Sequence, residues 1–426
     1  MDEIEDLRKN EQESKRGKSL SSSEARSNYH YYINNIMRKS NVAIMGINPG
    51  LIYRLAQSMV WQKRKVHLIL QEGLGLDKVF SHARCAASVT VWDLKAACSC
   101  PADSTELLQK FCERNGITFL VPGCMETTIL LAKVKEDLQG IIVYPCSSAE
   151  MIQRLADKRI FAKILDEFVF SQPSYFLVHT ESDLNETKSK FPIVLKAPCL
   201  EDGRGVKVCN NPDEAVNHFE DLKKISIGPY IAQNFIPGID IDLTVLANHG
   251  KLVAWSVYTH KMNWGGKSYD FIDNPNYLDI GKQLVRVLNF HGILHLDGRL
   301  SSEDGSIYII ECNPRVFGSI HVTNYTGLDF LQAGEELALF GKNPEPPLRS
   351  KNGIINSPKA CLSMIMKGNN WHEIFTPGTL ISIHTLWNDP LLVCGWFLRR
   401  FHLGIKKILK SIIGKMGRSF KGIHFR

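Results

Sequence analysis

The segment Tyr308-Ile-Ile-Glu311-Cys-Asn313-Pro-Arg315-Val-Phe-Gly318-Ser319, taken with Asp297, decides how this chain is read. Apolar residues alternate in Gly292-Ile-Leu-His-Leu-Asp297 and again in Ser306-Ile-Tyr-Ile-Ile-Glu311, with Ser-Ser-Glu-Asp-Gly between them. Alternation on both sides of a turn-forming segment predicts an antiparallel hairpin that sets Asp297 near Glu311. Residues two apart on a strand share a face, so Glu311 and Asn313 project together toward Asp297. Two carboxylates and one amide oxygen are a hard donor set suited to Mg²⁺, with Mn²⁺ the alternative ion, and such an ion completes its shell with water and phosphate oxygens. Arg315 can meet a phosphate or another oxyanion through two parallel hydrogen bonds. A solvated acidic rim accounts for either carboxylate alone but not for the combination.

Earlier in the chain, Ile193-Val-Leu-Lys196 ends a buried strand in a lysine, and Glu201-Asp-Gly203-Arg-Gly205 makes a glycine-containing turn into the next strand. An ammonium there can pair with phosphate oxygens, while glycines let backbone N–H groups approach them. The run from Tyr230 to Leu246 holds a strand edge, the Pro237-Gly238 turn and a second alternating stretch. Its edge around Gln233, Asn234, Phe235 and Ile236 offers backbone groups to a base and apolar cover for the base's faces. Asp240 can accept hydrogen bonds from two hydroxyls.

Glu-x-Asn-Pro-Arg-x-x-Gly-Ser after a hairpin resembles the metal-binding end of the ATP-grasp superfamily and, within it, the carbamoyl-phosphate synthetase and biotin carboxylase group. The likeness spans roughly residues 155 to 340 and extends more weakly back to residue 41. It implies an α/β fold in which a Rossmann-like parallel-sheet domain precedes a two-lobed ATP-grasp domain. It also implies ATP-dependent joining of a carboxylate to an amine through an acyl-phosphate. A thiol acceptor, an ATP-grasp kinase and a nucleotide-binding scaffold without turnover are the alternatives. On this likeness ATP and Mg²⁺ are the cofactors, Asp297, Glu311 and Asn313 hold the metal, and Lys196 and Arg315 are catalytic. Lys158, Lys196, Gly203, Gly205, Gln233, Asn234, Phe235, Ile236 and Asp240 contact the nucleotide, Asp240 at the ribose hydroxyls. Lys158 stands in the Asp-Lys pair that opens the family's ATP-binding region; a solvated helix position is its other reading. His295, where several relatives carry arginine, either touches substrate or phosphate or packs within its strand. Pro198, Cys199 and Glu201 depart from the small residues of the family's lid, and Asn234 from the charged residue frequent at the hinge.

Residues 1–40, dense in Glu, Lys, Arg and Ser, are expected to be a polar flexible leader. Strands near 41–46, 65–70, 88–92, 117–121 and 141–144 alternate with helical segments, which predicts the parallel-sheet domain over 41–150. The turn Gly46-Ile-Asn-Pro-Gly50 lacks the third glycine of a dinucleotide site and carries a proline where backbone must approach phosphate. Residues 151–345 are expected to be the ATP-grasp domain and 346–426 a C-terminal extension.

Hydrophobic residues at 44% and charged residues at 22% exclude a disordered chain. Nine Lys or Arg and no acid lie between Arg399 and Arg426, so the rest of the chain carries a net charge of −2 and no nucleic-acid-binding surface is implied. The eleven cysteines are scattered, Cys98 and Cys100 forming the one close pair, which points to reduced thiols in a cytoplasmic setting. Small-molecule carboxylate and amine substrates are the expected partners, and a homodimer is the one assembly considered. In the basic tail, Ile405, Leu409, Ile412 and Met416 fall at helical spacing with Lys406, Lys407 and Lys410 elsewhere. That stretch either lies on an anionic membrane surface or docks its apolar stripe on the body.

Overall fold

Helix-bearing crossovers join the apolar runs after residue 41, and such crossovers force the runs into parallel alignment. The computed structural model describes residues 41–185, 191–201, 203–263, 266–341, 343–367 and 371–399. The expected leader and the amphipathic stretch 405–416 lie outside the described residues. Strands β1 (Val42–Gly46), β2 (Val66–Gln71), β3 (Ala86–Trp92), β4 (Phe119–Pro122) and β5 (Ile142–Val143) form one sheet in the order β3-β2-β1-β4-β5. All its pairings are parallel. On β1, Val42 and Ile44 enter one apolar core and Ala43 and Met45 another, so both faces of the sheet are covered. The following helix, Pro49–Trp61, begins where the Asn48 side chain accepts from the Gly50 and Leu51 N–H groups, with Pro49 in its first turn.

Two antiparallel sheets follow. Strands β6 (Tyr175–Val178), β7 (Ile193–Lys196), β8 (Val206–Cys209) and β9 (Tyr230–Asn234) make a four-stranded sheet in the order β6-β9-β7-β8. Strands β10 (Gly238–Asn248), β11 (Lys251–Asn263), β12 (Gly266–Phe271), β13 (Gly292–Ser301), β14 (Ile307–Asn313), β15 (Leu348–Arg349) and β16 (Gly353–Asn356) make the larger sheet. Its order is β14-β13-β10-β11-β12-β16, with β15 beside β11. The stretch read as a hinge therefore leaves one sheet at Asn234 and enters the other at Gly238. Only glycine fits at that entry, because its φ is +149° and a Cβ there would lie 2.0 Å from the Leu300 carbonyl oxygen.

The predicted hairpin is β13–β14. Asp297 is directly opposite Glu311 and His295 is opposite Asn313, with a bulge just after Asp297. β13 also pairs with β10, which sets Asp242 opposite Asp297 and Asp240 opposite Arg299. The other face of these strands carries Ile241, Leu243, Leu294 and Leu296 into an apolar core with Phe161, Tyr277 and Phe290.

The chain beyond residue 346 turns back toward the first sheet. The Asp389 carboxylate accepts from the Cys85 N–H at 2.8 Å, and Trp396 stacks on Tyr53 with ring centroids 4.5 Å apart. Among the described residues, no helix is long and apolar enough to cross a membrane.

Arg64 and Glu335 tie the parallel-sheet region to helix Phe330–Phe340, which packs against β10 and β11. Their contact is bidentate, at 2.6 and 3.2 Å, and the side chains are only 9% and 3% exposed. Removing one member of a buried pair leaves the other's desolvation uncompensated, so Glu335→Ala should destabilise the fold by about 3–5 kcal/mol. Chemical denaturation checks this, and a midpoint equal to that of the wild type would show that the pair holds nothing together.

Candidate active site

A cavity of about 1050 Å³ lies between the two antiparallel sheets and opens toward the first turns of helix Pro49–Trp61. Lys196, Gly203, Gln233, Asn234, Phe235, Ile236, Asp240, Asp297, Glu311, Asn313 and Arg315 all line it. Val194, Val206 and Val208 add an apolar wall. The strand edge expected around Gln233 and Asn234 is absent, because β9 is an inner strand whose backbone groups are taken by β6 on one side and β7 on the other. Lys158 and Gly205 are not among its lining residues. Gly205 has φ of +68°, and a Cβ there would sit 2.9 Å from the Ala197 Cβ, so this glycine lets the turn pack onto its own sheet. Lys158 is buried at 5% exposure, which rules out the solvated reading. It lines a neighbouring cavity of about 540 Å³ that shares Glu311 and Asn313 with the first.

The charged side chains are held in close pairs and in one longer run from His295 through Asp297, Asn313 and Arg315 to Glu201. Lys158 Nζ lies 3.2 Å from Glu311 Oε1 and donates to the Leu200 carbonyl at 2.9 Å. His295 Nε2 is 3.2 Å from Asp297 Oδ1, and the Asn313 amide donates to Asp297 Oδ2 at 3.0 Å. Arg315 donates to Asn313 Oδ1 at 3.1 Å and to the Val316 carbonyl at 2.8 Å, while its Nε pairs with Glu201 Oε1 at 2.7 Å. Thus Glu201, one of the three residues in the expected lid that depart from small side chains, is the ion-pair partner of Arg315. Lys196 Nζ donates to the Ile310 carbonyl at 3.3 Å. Asp240 pairs with Arg299 at 2.7 Å.

Burial pushes the Lys196 ammonium down to about 8, against the pull of the Glu311 carboxylate. Burial also works against ionising Asp297, but the hydrogen bond and charge of His295, with Arg315 and Lys196, hold this carboxyl below its usual range. Burial likewise disfavours the His295 imidazolium, yet Asp297 and Asp242 raise it above its ordinary value. His295 is a packed residue as well: Nδ1 is 2.8 Å from the Thr244 hydroxyl, and the ring stacks on Phe317 at 4.8 Å.

Asp242, His295 and Asp297 bring ligand atoms within 4.8 Å of one another. Asp242 and its neighbour His260, 3.3 Å away, were not singled out from the sequence. The signal for Asp242 was the alternation Asp240-Ile-Asp242, which puts both acids on one face. Arg299, two residues beyond Asp297, carried the same kind of signal.

Comparison with known proteins agrees with this architecture. Residues 155–319 match the family model described as an ATP-grasp domain. The carbamoyl-phosphate synthase of Methanobrevibacter smithii is 24% identical over 212 residues, which cover 46% of this chain and 56% of that one. The chain therefore spans little more than half the length of that relative. Among solved structures, the biotin carboxylase domain of the Hydrogenobacter thermophilus 2-oxoglutarate carboxylase superposes with a TM-score of 0.56 at 16% identity, covering 73% of each chain. An L-amino acid ligase from Bacillus licheniformis gives 0.53 at 19% identity, covering 71% of this chain and 75% of that one. With its parallel sheet, its two antiparallel sheets and the match over residues 155–319, the chain carries a region that matches an ATP-grasp domain and is similar to carbamoyl-phosphate synthases in sequence and to a biotin carboxylase domain in fold.

Proposed function

We propose that the protein is an ATP-dependent ligase that activates a carboxylate as an acyl-phosphate and passes the acyl group to an amine. The observation that carries this reading is the convergence of Lys196, Asp297, Glu311, Asn313 and Arg315 on one cavity between two antiparallel sheets. The Phe235–Ile236 crossing that follows β9, with the apolar wall of Val194, Val206 and Val208, suits an adenine, and Asp240 suits ribose hydroxyls. The substrate carboxylate attacks the terminal phosphorus and ADP leaves; the amine then attacks the acyl carbon and phosphate leaves. Lys196 positions the phosphates. Arg315, once Glu201 is displaced, stabilises the charge on the acyl oxygen.

Asp297 and Glu311 offer hard oxygen donors that fit Mg²⁺, and Asn313 joins them when its amide turns to present Oδ1 in place of the nitrogen now facing Asp297. When bound, the ion would neutralise charge on the terminal phosphates. The biotin carboxylase domain of like fold is a dimer in complex with MgADP, which supports Mg-ATP as the nucleotide form and a homodimer as the assembly. The fold shared with an L-amino acid ligase supports an amine acceptor. The proposal extends to peripheral attachment through residues 399–426 to anionic lipid. Equal sedimentation with anionic vesicles of full-length protein and of protein ending at Arg399, at low salt, would remove that part.

Two predictions test the reaction. Glu311→Gln should keep its circular dichroism spectrum while ADP release, and hydroxamate formation in the presence of hydroxylamine, fall by about a hundredfold or more. Wild-type turnover in the folded variant would overturn the reading. The second uses the Lys196 pKa of about 8. Its charged form prevails below that value and is lost above it, so ATP affinity should weaken as the pH rises from about 7 to about 9. Lys196→Arg, which stays charged, should flatten that dependence, and Lys196→Ala should bind ATP weakly throughout. Nucleotide titrations at several pH values check both.

A further inference from the structure

The cavity continues past the carboxylates to an end walled by the start of helix Pro49–Trp61 and by Trp396 and Arg399. Arg54 stands there, half-buried. Its guanidinium reaches the Gly318-Ser319 turn, because a Cβ added to Gly318 would lie 2.9 Å from Arg54 Nη1. Gly318 thus leaves the space that the guanidinium uses, three residues beyond Arg315.

Among the described residues Arg54 has no hydrogen bond and no ion pair. The other arginines lining the cavity are engaged: Arg299 with Asp240 at 2.7 Å, Arg315 with Glu201 at 2.7 Å, and Arg399 with the Leu74 carbonyl at 3.3 Å. The acids lining the cavity, Asp240, Asp242, Asp297 and Glu311, all belong to β10, β13 and β14, and none comes from the helices that wall this end. The charge of Arg54 is felt locally. Burial first, and then Arg54, bring His321 down to about 3. A partly desolvated guanidinium that faces a cavity and has no ion-pair partner among the described residues is a receptor for an anion.

We propose that Arg54 recognises an anionic group, a carboxylate or a phosphate, that does not itself react and that belongs to the substrate whose reacting centre meets Asp297 and Arg315. The substrate is then an acid or amine carrying a second, negatively charged group, held bidentately at the helix-walled end of the cavity. The inference rests on the ligase reading for what reacts at the other end.

Phenylglyoxal labelling of the full-length protein, with each arginine followed by mass spectrometry, tests it. Arg54 should be labelled faster than Arg299 and Arg315. Succinate or inorganic phosphate should slow its labelling several-fold, and Mg-ADP should not. Protection by succinate alone identifies a carboxylate site, and protection by phosphate alone a phosphate site. If neither anion protects Arg54, the proposal falls; if Mg-ADP protects it, Arg54 serves the nucleotide and the proposal falls as well. Kinetics give a second readout: for any compound that elicits ADP release, Arg54→Gln should raise that compound's KM about tenfold or more while leaving the KM for ATP unchanged. An unchanged KM for the compound overturns the inference. The ligase reading stands or falls separately, on turnover by Glu311→Gln.

Discussion

Three carboxylates stand in one row across three adjacent strands: Asp242 on β10, Asp297 on β13 and Glu311 on β14. Like charges directly opposite each other on neighbouring strands repel. The row holds because cationic and imidazole groups are interleaved with it. His260 lies 3.3 Å from Asp242, His295 3.2 Å from Asp297 and Lys158 3.2 Å from Glu311, with the Lys196 ammonium nearby. The opposite face of the same strands fixes the register, since Ile241, Leu243, Leu294 and Leu296 are fully buried. A slip of one residue would turn the acids into that core. Apolar packing on one face thus sets the positions of the charges on the other.

The same need for compensation explains the unusual lid. Glu201 pairs with Arg315 where both side chains are mostly buried, at 15% and 6% exposure. Lys158 grips the Leu200 carbonyl from the other side while also holding Glu311. The turn at Leu200–Glu201 is therefore tied to both Arg315 and Lys158. An anion arriving at Arg315 must replace Glu201, and the cost of separating that pair offsets part of what the new contact gains. An acidic residue in a normally small-residue lid is consistent with an arginine that keeps a counter-charge before any ligand binds.

The hairpin Gly292–Asn313 was legible because it carries two independent signals, period-two alternation and a turn-forming insert. The parallel sheet was legible for a similar reason, its strands and helices alternating in composition. Asp242 was not. Its alternation with Asp240 reveals a shared face, but its partner in the sheet is Asp297, far away in sequence, and no local pattern reports which strands become neighbours. The β11–β12 hairpin has no comparable signal of its own, although His249 and Gly250, both with positive φ, form the tight turn that joins β10 to β11. Lys158 lines the neighbouring cavity and not the one that holds Lys196 and Arg315. Its helix position is evident from sequence, whereas the lid that buries it depends on Leu200 folding back over it.

The two ends of the cavity are built by different means, and this bears on how far likeness to other proteins can carry. The end proposed to take the nucleotide is lined by side chains on β7, β9, β10, β13 and β14, all within the matched residues 155–319. Their positions are locked by sheet register, so a change there disturbs the fold. The other end is built in large part by Arg54 on the helix after β1 and by Trp396 and Arg399 near the end of the described chain, all outside that match. Helix side chains that face a cavity can be exchanged without shifting any strand. The helix-walled end can therefore vary while the sheets keep their register. At that end the guanidinium of Arg54, unpaired among the described residues, is the feature whose chemistry says most about what enters.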